Sequence, residues 1–129
     1  MAVACAVVVA AGCGGSTSAN DPAGRSFAVV SVVRPNGTSP STPELEDVRF
    51  DFSEEGDGVG WTAGCNEFSG ARSGTEIHLT GGTEMACEYG MRAEAWFEDF
   101  MGEVPKWRLN GSTLILSTDR AVVELKPAD

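Results

Sequence analysis

The chain has 129 residues with 9 Lys+Arg against 19 Asp+Glu, a formal net charge of −10 and a pI near 4.4. That length is one domain with a core of its own, and so acidic a balance excludes nucleic acid, whose phosphates need a surplus of Lys and Arg, and disfavours adhesion to anionic lipid. An apolar fraction of 42% excludes an acidic disordered tail, and 16 Gly with 6 Pro implies many turns.

Residues 2–12 are uncharged and apolar or small. A bilayer-spanning helix needs about 20 such residues, whereas the apolar part of a secretory signal has about 7–15 and ends in small ones. The run closes on Ala10-Ala11-Gly12-Cys13 and passes into Gly14, Gly15 and Ser16, which resembles the lipobox of bacterial lipoproteins. The resemblance implies cleavage before Cys13 and a diacylglyceryl group on its thiol, with residues 1–12 as signal peptide and 13–23 as flexible tether. Two acyl chains suffice for stable anchoring. Ala10 stands where Leu is usual, and no Lys or Arg precedes the run. Ordinary secretion is one alternative, and a buried first strand built on Val7, Val8 and Val9 is another.

Residues 27–33, rich in β-branched side chains, read as a strand, and residues 34–43, with three of the six prolines, as a loop. Val48, Phe50 and Phe52 alternate with Asp47, Arg49 and Asp51, the period of a strand with one wet face. A charged turn from Glu54 to Gly58 leads to a returning strand over 59–63, and Ile77 and Leu79 flank His78 in a further short strand. Spacing then becomes helical: Ala93, Trp96, Phe97, Phe100 and Met101 form one apolar stripe, extended by Tyr89, while Arg92, Glu94, Glu98 and Asp99 fall on the other face. Gly102 is placed to end this helix. Asn110-Gly111 predicts a hairpin between strands at 107–109 and 113–117. A turn at residues 118–120 leads to a last strand over 121–125. The sum is an α+β domain: a small antiparallel sheet or partly closed barrel of about seven strands, with one amphipathic helix packed on it.

Beyond the leader, with Cys5 and Cys13, the remaining cysteines are Cys65 and Cys87. In an exported domain of this size such a pair is expected to form a disulfide. A reactive thiol assisted by His78 is the alternative. Two Cys and one His do not make a zinc set.

The stretch Gly64-Cys65-Asn66-Glu67-Phe68-Ser69-Gly70, then Thr83-Glu84-Met85-Ala86-Cys87, the amphipathic helix and the hairpin over 107–116 together resemble the META (HslJ-like) domain. The resemblance covers roughly residues 24–126, and the domain is assigned to 24–127. It implies a small antiparallel β-structure with one helix, a place in the bacterial envelope or outside the cell, and an association with stress responses. Phe27 stands where that family commonly has Trp. Read physically, the motif is architectural: Gly64 and Gly70 permit unusual backbone, Asn66 holds a turn, Phe68 enters the core, and Cys65 ties the turn to the helix start through Cys87. The functional alternative is a recognition loop that displays Asn66, Glu67 and Ser69.

No catalytic constellation emerges. Asp51, Ser53, Glu55 and Asp57 begin like an EF-hand loop, but Thr62 occupies the twelfth position where a bidentate Glu is required. No Gly-x-Ser-x-Gly elbow or phosphate-cradling Gly-Lys-Ser/Thr loop occurs, and His78 is expected to face solvent. The expectation is a monomeric, non-catalytic lipoprotein without cofactor or metal, held to the membrane by lipid on Cys13, on the extracytoplasmic side. It would bind an unidentified protein or small molecule in an envelope or stress role. A secreted inhibitor or small-ligand carrier, with a cavity under Trp96 and Phe100, is the alternative.

Overall fold

The structure, a computed structural model, describes residues 21–39, 45, 47–63, 65–85, 87 and 91–128, the side chain of Met91 excepted. The leader, Cys13, Gly64 and Tyr89 lie outside the described residues. The described elements are β1 (Ser26–Val33), β2 (Arg49–Phe52), β3 (Gly58–Thr62), β4 (Glu67–Ser73), β5 (Glu76–Gly82), α1 (Met91–Gly102), β6 (Lys106–Asn110), β7 (Thr113–Ser117) and β8 (Val122–Pro127). Each strand pairs antiparallel with the next and β8 returns to β1, so the sheet closes into a barrel. Closure removes the unpaired edges that an open sheet of this size would expose.

Period-two alternation aims the apolar side chains inward. In β1, Phe27 and Val29 are buried; a bulge between Val29 and Ser31 then shifts the alternation so that Val32 is the next buried residue. Across β2, β3 and β4 the register Phe50↔Trp61↔Phe68 places three rings side by side inside the barrel. Phe50 and Trp61 stack at 5.9 Å, and Trp61 and Phe68 at 4.2 Å. Phe68 is opposite Gly82 of β5, where an added Cβ would lie 2.4 Å from the Phe68 ring. The missing side chain makes room for the ring.

The strand beyond the seven expected is β4, which alternation does not announce. Its inward positions hold Phe68, Gly70 and Arg72, and a single large apolar residue gives no period-two signal. Gly70 is needed for close approach: a Cβ there would meet the His78 carbonyl oxygen at 2.6 Å. Arg72 fills its position with a guanidinium stacked over Phe52 (5.7 Å) and Trp107 (5.5 Å), its side chain 12% exposed and paired with Asp21 at 3.4 Å. The lead-in to β1 closes against the same end. Pro22 is fully buried, and the Gly24 N–H donates to the Phe52 carbonyl at 3.0 Å.

Helix α1 buries Ala93, Phe97, Phe100 and Met101, as the stripe predicts. Phe97 leans on Phe50 (6.2 Å) and Trp61 (6.0 Å), Phe100 packs edge-on against Phe97, and half-buried Trp96 stacks on Phe100 at 5.4 Å. These rings pack together in the space under Trp96 and Phe100. Gly102 is the last helical residue, but the left-handed position falls at Val104 (φ 55°), just before buried Pro105. The predicted hairpin is present, shifted by one residue. Asn110 pairs with Thr113, and the loop is Gly111-Ser112 with Gly111 at φ 65°.

Candidate functional site

Asn66 lies between β3 and β4 and is 3% exposed. Its side chain is fully engaged. Oδ1 accepts from the Met85 N–H (2.7 Å) and the Thr83 hydroxyl (2.9 Å), while Nδ2 donates to the Met85 carbonyl (3.0 Å) and to Glu94 Oε2 (2.7 Å). The Asn66 backbone N–H donates to Glu94 Oε1 at 2.9 Å, and its carbonyl accepts from the Thr62 hydroxyl at 2.9 Å. One residue thus fastens the turn after β3, Thr83 and Met85 beyond β5, and the first turn of α1. Next to it Cys65 and Cys87 are joined as a disulfide, their Cα atoms 6.0 Å apart. The thiol alternative therefore has no free sulfur at these two positions, and His78 is elsewhere, exposed and 3.3 Å from Glu76.

Asn66 holds the turn and Phe68 enters the core, as expected; of the recognition-loop alternative, Glu67 and Ser69 are exposed on the outer face of β4 but Asn66 is not displayed. One expectation is corrected here. Glu94 is not on the wet face of the helix but 5% exposed. Its position explains this: Glu94, Phe97 and Met101 fall at i, i+3 and i+7, so Glu94 flanks the apolar stripe. At the border of the stripe the partner decides, and Asn66 offers the carboxyl two N–H donors. A buried carboxylate persists when hydrogen-bonded, and its place in the first helical turn suits the helix dipole.

Beside this clasp is an open cavity of about 420 Å³, lined by Phe68, Thr83, Glu84, Met85, Glu94 and Glu98. A second, of about 480 Å³, lies between Val104 and the turn after β7, lined also by Glu103, Lys106 and Asp119. Among the described residues no group of three or more His, Cys, Asp or Glu is placed to hold a metal ion. The EF-hand-like residues are spread over β2 and its turn into β3. Both Glu94 carboxyl oxygens accept hydrogen bonds from Asn66.

No curated protein matches the sequence. Two solved structures share the fold. An NMR structure of a protein from Burkholderia xenovorans superposes with a TM-score of 0.63 at 16% identity, covering 82% of this chain and 83% of that one. A second NMR structure gives 0.58 at 22% identity, covering 82% and 91%. The family model of the META domain matches residues 21–129, from the buried lead-in through β8. That span includes the clasped Asn66 motif, the disulfide and the helix wedged into the barrel, and on it the chain belongs to the META domain family.

Proposed function

We propose that this META domain is a non-catalytic binding or envelope-maintenance module, carried on the extracytoplasmic face of the membrane by lipid on Cys13 and active under stress. The observation that carries this reading is the Cys65–Cys87 disulfide, since such bonds persist in oxidising compartments outside the cytosol. The lipobox-like end at Cys13 supports the anchor, and the structural duty of Asn66, whose four side-chain hydrogen bonds all tie segments of the fold together, supports a non-catalytic reading of the motif. In this reading the domain acts as a monomer, without cofactor or nucleic acid.

Inhibition of lipoprotein signal peptidase in the native host tests the anchor. The expected result is a larger precursor, with the processed form carrying lipid mass on Cys13 and sedimenting with membranes. Cys13→Ser should release the protein from that fraction. Unchanged mobility and a lipid-less Cys13 would refute the anchoring.

A further inference from the structure

We infer that Met85 is a site of reversible methionine oxidation by hydrogen peroxide or an alkyl hydroperoxide, held outside the fold at the rim of the 420 Å³ cavity. At 56% exposure Met85 is the most open of the exposed large apolar residues among the described residues, ahead of Val30 at 49%. Its openness is imposed by the clasp. The Met85 N–H and carbonyl are both taken by the Asn66 side chain, and Cys87, two residues on, is covalently tied to Cys65. The main chain is fixed on both sides while the thioether stands in solvent.

Oxidation of sulfur follows exposure and the availability of competing thiols. Among sulfurs with described surroundings, Met101 is 1% exposed, and Cys65 and Cys87 are bonded to one another, so no thiolate there intercepts the oxidant. Met85 Sδ attacks one peroxide oxygen, the O–O bond breaks, and water or an alcohol leaves after proton transfer. The sulfur is oxidised by two electrons to the sulfoxide, and the peroxide is reduced. Methionine oxidation usually disrupts a core, because it makes a buried apolar group polar. Here the clasp uses main-chain atoms of Met85, and the residue itself is more than half exposed. The modification therefore turns one apolar rim group into a polar acceptor beside Phe68, Thr83 and Glu98, with the fold intact.

The test is a time course of hydrogen peroxide on the purified full chain, read by peptide mass mapping. Met85 should gain one oxygen at least about ten-fold faster than Met101. The thermal midpoint should stay unchanged when Met85 is oxidised, and methionine sulfoxide reductase supplied with a dithiol reductant should return the thioether, the oxygen leaving as water and the dithiol becoming a disulfide. Met85→Leu should fold with the same midpoint and leave the slow Met101 rate as it was. Equal rates at the two methionines, or a midpoint that falls in step with Met85 oxidation, overturns the proposal. It stands apart from the membrane anchor, which this measurement does not read.

Discussion

Replacing Asn66 with alanine removes four side-chain hydrogen bonds and leaves Glu94 Oε2 buried without its donor. The loss of one partner of a buried charge costs far more than the net worth of the bond, on the order of 3 kcal/mol. Asn66→Ala should therefore lower the urea midpoint by a large fraction of a stability that is ordinarily about 5–15 kcal/mol. A second change separates the causes. Adding Glu94→Leu removes the stranded carboxylate, so the double variant should recover part of the loss, whereas simple additivity would mean that the two residues do not act together. The sequence marks Asn66 through the motif around Cys65, yet its partner is hidden, because a glutamate on a helix reads as solvated until something buried is shown to receive it.

At the scale of elements, the passage from α1 to β6 holds the strain. Val104 is a β-branched residue at φ 55°, a conformation that costs an L-residue about 1–2 kcal/mol and that Asn tolerates better. Val104→Asn should raise the thermal midpoint by a few degrees, at about 4–8 °C per kcal/mol for a domain this size. Val104→Ala, which gains no such tolerance, should not. Beside it Glu103 pairs with Arg120 at 2.9 Å, and hydrogen bonds from Thr118 and then Arg120 hold its carboxyl below the usual 4.5. A depressed carboxylate stabilises the fold above its unfolded value and loses that contribution as pH falls through the folded one. Glu103→Gln should thus lower the midpoint slightly at about pH 6, with the gap closing in acid and shrinking in salt, since the pair is exposed. Gly102 made a helix end legible but not the residue that bears the reversal. Likewise β1, β2, β3, β7 and β8 were legible from branched or alternating residues, while β4 was not. Its pairing with β5 rests on close approaches at Gly70 and at Gly82 across from it, a tertiary demand with no local period.

For the molecule as a whole, closure of the barrel is uneven. Along β1 and β8 six residue pairs are in register, while β5 and β6 share Glu76↔Lys106, flanked by the Ile77 N–H to Pro105 carbonyl bond (3.0 Å) and the Trp107 N–H to Thr75 carbonyl bond (2.8 Å). The chain between those two strands is α1, which packs on β5 and sends Phe97 to Phe50 and Trp61. The helix therefore backs the β5 side of the short junction and ties it to the rings of β2 and β3. Proteins open first where few hydrogen bonds and contacts resist, so native-state hydrogen exchange should show the Ile77 and Trp107 amides opening at a lower free energy than protected amides of the β1–β8 pair. Phe97→Ala, which removes a fully buried ring at a cost of about 3–5 kcal/mol, should lower that free energy at the junction before it changes the mechanism elsewhere. Equal opening energies around the ring would mean that the single registered pair closes the barrel as firmly as the six, and that the helix is a passenger on it.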